Sequence, residues 1–212
     1  WIIVAHRDLE YEIEKNATID FVFVPEPEIR TGFWTLNRAY NQAIIKARGD
    51  LIVSWQDFTY AKFDTLDRFW EHHNKDPKAL ISGVGNKYTT VYPEVGALIW
   101  KDPRERTDHG TLYKCYPQDI EWNFCSCPRQ ALFDIGGFDE ELDMLGFGMD
   151  GYSVDERIFM LKKYEFLIDQ TIKSYSLSHP RPENLEKDNN IHNRYEKRRD
   201  YYLENGPKLS YL

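Results

Sequence analysis

The sequence predicts an α/β domain in which a mostly parallel central sheet is flanked by helices. Over residues 1–81, short runs rich in β-branched residues alternate with stretches whose apolar residues recur every three or four positions. One of these runs, Leu51-Ile52-Val53, is wholly apolar, which is typical of a strand covered on both faces. Strands that alternate with helices in this way pair in parallel, because the intervening helix provides the crossover connection.

Each predicted element follows from its local pattern. Trp1–Ala5 is an apolar run, Ile19–Val24 alternates in polarity, and the helix that opens at Thr31-Gly32 ends at Gly49, a residue type favoured after helix C-termini. The same criteria predict, in chain order, a short helix at Asp8–Lys15, a helix from Phe63 to Trp70, a strand at Ala79–Ile81, a hairpin over Val91–Ile99, a charged loop over Lys101–Gly110, helices at Arg129–Ile135 and Tyr152–Lys163, strands at Phe166–Ile168 and Ile172–Leu177, and a charged helix over Asn193–Glu204.

Composition narrows the classes of function. The 212 residues carry 27 Lys and Arg against 35 Asp and Glu, a net charge of −8. This acidic excess argues against a protein that mainly binds nucleic acid or anionic membranes, because both need a basic surface. No apolar run approaches the ~20 residues of a membrane span, so none is expected. The three cysteines are too few for a disulfide framework, and Cys125-Ser126-Cys127 is a weak metal signal, so reduced thiols and a cytoplasmic location are expected.

Two acidic residues and one histidine occupy positions where ligands commonly bind. Asp57 follows the apolar strand, and ligands of open α/β sheets bind beyond the carboxyl ends of strands. Asp150 lies between Gly148 and Gly151, which would let the backbone approach a ligand, and His179 follows the last predicted strand. Each also has a purely structural alternative: a turn cap for Asp57, a helix cap for Asp150 and a surface position for His179.

Several motifs, taken in chain order, resemble the GT-A glycosyltransferases of the family-2 type. The helix Asn37–Ile44 is followed by Ala47-Arg48-Gly49-Asp50, the apolar strand and Gln56-Asp57, which is similar to the donor-binding half of that family. Farther on, Ile135-Gly136-Gly137-Phe138-Asp139-Glu140 resembles its Gly-Gly-Phe-Asp-Glu segment, and Gly148-Met149-Asp150 through Arg157 resembles its later acidic motif.

The resemblance implies a GT-A, Rossmann-like fold with a single domain over residues 1–180. About residues 1–85 would form the nucleotide-sugar half, and about residues 86–180 a smaller, mixed acceptor half. Residues 181–212 would be a polar, helical C-terminal extension. Because Trp1–Ala5 resembles the second strand of the family, we expect the first strand–helix unit of the family to be missing from this chain.

The resemblance also implies roles for individual residues. Asp150 would be the catalytic base, and Asp155 is the alternative if the alignment to Arg157 is shifted. The implied donor-binding residues are Arg38, Gln56, Asp57, Gly136 and Gly137. The implied metal ligands are Asp57 and His179, the latter matching a late metal-binding histidine of many members. Trp122 and Phe147 flank the motifs on the acceptor side, with core packing as the alternative for both.

The metal-binding motif departs from the family pattern, because Gln56-Asp57-Phe58 retains only one carboxylate. A metal would then depend on Asp57 and His179, with diphosphate oxygens and water at the remaining positions. One carboxylate oxygen and one imidazole nitrogen suit Mn²⁺ better than Ca²⁺, which prefers oxygen ligands throughout. We therefore expect a divalent cation, and Mn²⁺ in preference to Mg²⁺.

The predicted function is a metal-dependent, inverting sugar transfer from a nucleoside-diphosphate sugar, with a UDP-sugar as the first expectation, to a hydroxyl of a carbohydrate or another acceptor. One alternative is a nucleotidyltransferase that makes nucleotide sugars, which would need a basic, glycine-rich loop that Trp1–Asp8 lacks. Another alternative is a catalytically silent sugar- or nucleotide-binding module, which the single carboxylate of Gln56-Asp57-Phe58 motivates.

Overall fold

The computed structural model describes residues 2–7, 20–25, 36–56, 59–90, 96–145, 149–177 and 191–212. They divide into two compact units that each draw on several stretches of chain. Unit 1 comprises Trp1–Ile52, Arg129–Met160 and Asn184–Leu212, and unit 2 comprises Val53–Pro128 and Leu161–Glu183. The predicted C-terminal helix therefore lies in unit 1, with the Gly-Gly-Phe-Asp-Glu segment.

The elements of the described residues confirm an α/β fold. In chain order they are β1 (Ile2–Arg7), β2 (Asp20–Pro25), α1 (Leu36–Lys46), β3 (Leu51–Trp55), β4 (Thr59–Ala61), α2 (Thr65–Lys75), β5 (Ala79–Tyr88), β6 (Leu98–Trp100), β7 (Leu112–Lys114), a 3₁₀ turn (Pro117–Asp119), β8 (Phe124–Pro128), α3 (Arg129–Ile135), a 3₁₀ helix (Glu140–Leu145), α4 (Asp150–Met160), β9 (Glu165–Leu177) and α5 (Ile191–Asn205). The helix predicted at residues 8–15 lies outside the described residues.

Unit 1 is built mainly from helices. Its strands β1 and β2 pair in parallel, as the crossover pattern predicts. Helix α4 packs against both α3 and α5. The side chains that these helices bury completely are mostly aliphatic or aromatic: Ala131, Leu132, Ile135, Val154, Ile158 and Tyr202. The buried face of α1 differs, since it carries Asn37 and Asn41 beside Ile44 and therefore needs polar partners.

Unit 2 is organised around a seven-stranded sheet with the order β3-β8-β5-β9-β4, to which β6 adds beside β5 and β7 beside β9. The central pair β5–β9 is parallel, but β4–β9, β5–β6, β5–β8 and β7–β9 are antiparallel. The prediction of a mostly parallel sheet is therefore wrong. The strands from β5 to β8 follow one another without an intervening α-helix, so no crossover helix is available to make them parallel.

Two local predictions in unit 2 also change. The strands predicted at residues 166–168 and 172–177 are one continuous strand, β9, whose register against β5 shifts between Ser82 and Val84. The shift accompanies a close approach at Gly83, where a Cβ atom would overlap the backbone of Ile172. The loop predicted at residues 101–110 has no regular structure, but it is anchored by Asp102, which is fully buried.

Asp102 anchors that loop through hydrogen bonds in several directions. Its carboxylate accepts hydrogen bonds from the backbone N–H of Gly85 at 2.7 Å and from Arg104 Nε at 2.9 Å. Arg104 in turn donates to the carbonyl oxygen of Asp119 at 2.7 Å.

No helix in the described part of the chain has the length and apolar character needed to cross a membrane.

Candidate active site

The start of helix α1 is held by an acidic side chain from far along the chain. The Asp143 carboxylate accepts hydrogen bonds from the backbone N–H groups of Asn37, at 3.0 Å, and Arg38, at 3.1 Å. The N–H groups of a first helical turn have no partner within the helix, and a carboxylate there also interacts favourably with the helix dipole. Asp143 therefore fixes the position of α1 against the 3₁₀ helix that carries it.

The side chain of Asn37 joins two carboxylates. Its amide nitrogen Nδ2 donates to Asp143 Oδ1 at 3.0 Å and to Asp150 Oδ1 at 2.6 Å. Asn37 is fully buried, and its Oδ1 has no hydrogen-bond partner among the described residues. An amide nitrogen carries two N–H donors, so both are used on the two acids.

Asp150, the predicted catalytic base, is the first residue of α4 and is 9% exposed. The preceding residue, Met149, has a φ of 67°, a left-handed conformation that is rare for a side chain of this size. Met149 also accepts the hydrogen bond of the Ser153 N–H at 3.0 Å, which closes the first turn of α4. The turn into α4 is thus held in an unfavourable conformation, and the carboxylate of Asp150 lies against α1.

Burial raises the pKa of Asp150 to about 7. The hydrogen bond from Asn37 lowers it, and the nearby charge of Asp143 adds to the rise. A carboxylate at a helix N-terminus is ordinarily favoured as the anion, but at Asp150 the loss of hydration on burial is the largest effect and raises the pKa. Burial likewise raises the pKa of Asp143, against the opposing effect of its hydrogen bonds from α1. A carboxyl that titrates near neutral pH can both take up and release a proton.

The two glycines predicted to bind the donor form a tight turn after α3. Gly136 has a φ of 69° and Gly137 a φ of 88°. A Cβ atom on Gly136 would overlap the carbonyl oxygen of Leu209, and one on Gly137 would lie 2.5 Å from Asn41 Oδ1. The turn therefore allows a close approach of the C-terminal residues of this chain. The donor-binding role of these glycines stays a prediction.

The side-chain amide of Asn41, in α1, holds that turn by hydrogen bonding to both backbone polar groups of Phe138. Its Oδ1 accepts the N–H of Phe138 at 2.7 Å, and its Nδ2 donates to the carbonyl oxygen of Phe138 at 2.9 Å. The same Nδ2 donates to Glu140 Oε1 at 3.0 Å, and Arg38 Nε lies 3.3 Å from the other Glu140 oxygen. Arg38, a predicted donor-binding residue, is thus partly exposed and paired with an acid of the same segment.

Two further motif residues, Asp139 and Arg157, are fully buried and structural. The Asp139 carboxylate accepts hydrogen bonds from Arg198 Nε at 2.8 Å and from the hydroxyl of Tyr202, which docks α5. Arg157 donates to the carbonyl oxygens of Ile135 at 3.0 Å and Gly137 at 2.7 Å. Both side chains therefore stabilise the framework that carries Asp150.

The other predicted site residues divide into three groups. Asp155, the alternative base, is 1% exposed within α4. In unit 2, Gln56 directly follows β3 and its backbone N–H donates to the carbonyl oxygen of Asn123 at 3.0 Å, while Trp122 is 7% exposed. The predictions for Asp57, Phe147 and His179 lie outside the described residues. Within the described ranges no group of three or more His, Cys, Asp or Glu side chains could hold a metal ion.

Sequence reasoning missed Asp143 and the role of Asn37. No local pattern connects them, because Asp143 is separated from Asn37 by 106 residues. The available signal was the asparagine at position 37 among the apolar residues on the core-facing side of α1, since a buried amide requires hydrogen-bond partners.

Comparison with known proteins shows which solved structures have a similar fold. No family model matches the chain, and no curated protein does. Among solved structures, GalNAc-T7 with UDP, GalNAc and Mn²⁺ matches with a TM-score of 0.55 and 13% identity over 79% of this chain. S. aureus TarS 1-349 matches with TM-scores of 0.52 in complex with UDP and 0.56 with UDP-GlcNAc, at 12% and 11% identity over 76% and 79% of this chain.

These matches show that the fold is similar to that of the GT-A glycosyltransferases. The chain spans 34% of the length of GalNAc-T7 and 44–45% of TarS 1-349. The resemblance found in the sequence motifs is therefore confirmed at the level of the fold.

Proposed function

We propose that this chain is a glycosyltransferase that moves a sugar from a nucleoside-diphosphate donor to an acceptor hydroxyl, with Asp150 as the general base. The single observation that carries the proposal is the Asp150 carboxyl, which is buried at the start of α4 and has a pKa raised to about 7. The GT-A-like fold supports the reaction class, and the UDP or UDP-GlcNAc held by the similar structures supports a UDP-sugar as donor.

The chemistry is a single in-line displacement. The acceptor hydroxyl oxygen forms a bond to the anomeric carbon while the bond from that carbon to the diphosphate oxygen breaks, and the diphosphate leaves with the electron pair. The hydroxyl proton passes to Asp150. One displacement inverts the anomeric centre. Base catalysis of this kind contributes ~10²–10⁴-fold to the rate, and it works best when the pKa of the base lies near the working pH.

The proposed donor side comprises Arg38, Gln56, Asp57, Gly136 and Gly137. Asp57 and His179 would hold a divalent cation, with Mn²⁺ favoured over Mg²⁺ by the mixed oxygen and nitrogen ligands. Such a cation would stabilise the negative charge of the departing diphosphate as a Lewis acid. The Mn²⁺ present with UDP in the GalNAc-T7 structure supports this choice. Trp122 and Phe147 are proposed for the acceptor side.

Release of nucleoside diphosphate from a panel of nucleotide sugars, with Mn²⁺ and candidate acceptors, tests the proposal. Asp150→Asn should reduce transfer by ~10²-fold or more, because asparagine cannot accept the proton. It should leave the melting temperature near normal, because an asparagine Oδ1 can still accept the hydrogen bond from Asn37 Nδ2.

Asp67→Asn provides the matched control, since Asp67 is an exposed acid in the first turn of α2. Its transfer rate should equal that of the wild type. If Asp155→Asn loses transfer while Asp150→Asn keeps it, Asp155 is the base. If nucleoside diphosphates bind but no donor is turned over, the chain is the catalytically silent module that the single carboxylate at Gln56-Asp57-Phe58 also favours.

The metal role has its own measurement. Calorimetry with UDP and Mn²⁺ should show that Asp57→Ala loses the Mn²⁺-dependent part of nucleotide binding. Unchanged affinity in that variant would remove Asp57 from the metal site. His179→Ala is expected to behave in the same way.

A further inference from the structure

Asn37 stands between the proposed base and a second acid. Both of its side-chain N–H groups are committed, one to Asp143 Oδ1 at 3.0 Å and one to Asp150 Oδ1 at 2.6 Å. Its backbone N–H also donates to Asp143 Oδ1 at 3.0 Å. The side chain is therefore fixed by contacts at both ends, in a position that is fully buried.

The orientation of this amide is determined by charge. While both acids are ionised, turning it over would place its oxygen against two carboxylate oxygens that carry no proton to donate. In the observed orientation Oδ1 has no partner among the described residues, which costs free energy for a buried acceptor. The two hydrogen bonds to carboxylates outweigh that cost, since hydrogen bonds to charged acceptors are stronger than those between neutral groups.

We propose that Asn37 is the positioning residue of the active site: its amide holds the Asp150 carboxyl in place beside Asp143 through the 2.6 Å hydrogen bond to Asp150 Oδ1. The inference rests on the proposed role of Asp150 as the base. Two buried carboxylates that share one donor resist being ionised together, so they titrate as a coupled pair.

The charged groups around the pair support this assignment. Among the described residues, the charge that acts on Asp150 is that of Asp143, and the charge that acts most on Asp143 is that of Glu140. The guanidinium of Arg38 is paired with Glu140, 3.3 Å from its Oε2. Asn37 is therefore the neutral donor that offsets the repulsion within the pair.

The test is the pH dependence of kcat for sugar transfer in Asn37→Ala. Loss of the amide removes a hydrogen bond that lowers the pKa of Asp150, so the acid limb of the profile should move to higher pH by about one unit, the size expected for a charge-assisted hydrogen bond. The rate should recover at high pH, and KM for the donor should stay unchanged. Asn74→Ala, at an exposed asparagine of α2, should leave the profile as in the wild type.

A second variant tests the same pair in the opposite direction and covers the case in which Asn37→Ala does not fold. Asp143→Asn removes the neighbouring charge but keeps an oxygen that can accept the α1 hydrogen bonds, so the acid limb should move to lower pH. An unchanged acid limb in the variants that fold would overturn the role of Asn37. A uniform loss of kcat at all pH values would do the same.

A readout without turnover separates this inference from the proposed function. In protein labelled with ¹³C-aspartate, the carboxyl signal that disappears in Asp150→Asn reports the titration of Asp150. An upward shift of its midpoint in Asn37→Ala supports the positioning role even if no donor is turned over, in which case the proposed function fails alone. A shift of neither midpoint nor pH profile, with Asp150→Asn still inactive, refutes the role of Asn37 alone.

Discussion

Replacement of Gly136 by alanine should destabilise unit 1 through two separate effects. Its φ of 69° costs an L-residue about 1–2 kcal/mol. The new Cβ atom would also overlap the carbonyl oxygen of Leu209, so the C-terminal residues must move. That movement would weaken or break two backbone hydrogen bonds, from Leu209 N–H to the carbonyl oxygen of Ile135 at 2.8 Å and from Tyr211 N–H to the carbonyl oxygen of Gly136 at 3.2 Å. At ~0.5–1.5 kcal/mol each, they bring the total to roughly 2–5 kcal/mol.

Gly206 provides the matched control. Its φ is 90°, so Gly206→Ala carries a similar backbone cost, but a Cβ atom there would have no neighbour within 4 Å. Thermal unfolding should therefore show a larger loss of melting temperature for Gly136→Ala, by ~2–4 °C for each additional kcal/mol. Carboxypeptidase should also release the last residues of Gly136→Ala faster. Equal destabilisation by the two substitutions would refute the close packing of the C-terminal residues on this turn.

Three further predictions concern buried groups. Arg157→Met should cost about 3 kcal/mol in urea unfolding, because the Gly137 carbonyl oxygen loses a buried donor; a neutral substitution would contradict the structural role of this arginine. Burial raises the pKa of Asp169, but hydrogen bonds from His72 and Thr171 outweigh it and hold the pKa below its usual value. The hydrogen bonds of the Asp169 carboxylate should therefore add to the free energy of unfolding above about pH 4, and this contribution should be lost as the pH falls further. Asp169→Asn should abolish that acid dependence in unfolding measured across pH. Trp122→Ala should lose ~3–5 kcal/mol of stability if Trp122 packs in the core, whereas a raised acceptor KM with normal stability would support its acceptor role.

Local sequence patterns were sufficient to predict most helices and several strands. The helix predicted at Arg129–Ile135 has those bounds in the structure, and the one predicted at Tyr152–Lys163 is α4 with its start two residues earlier. The strand predicted at Leu51–Val53 is β3. These elements are specified by the period of their apolar residues and, after Ile135, by the Gly136-Gly137 pair, which are properties of neighbouring residues. The order of the motifs was also sufficient to indicate the GT-A fold.

The strand directions and the surroundings of Asp150 depend on the tertiary structure. Whether two strands pair in parallel depends on connections and partners far apart in the chain, and β5 pairs with β8 in one direction and with β9 in the other. The protonation of Asp150 likewise depends on burial and on Asn37 and Asp143, which lie 113 and 7 positions away along the chain but contact one another in space. Sequence alone identified Asp150 as the candidate base; only the tertiary structure shows that the loss of hydration on burial outweighs the hydrogen bond from Asn37 at this carboxyl and raises its pKa to about 7.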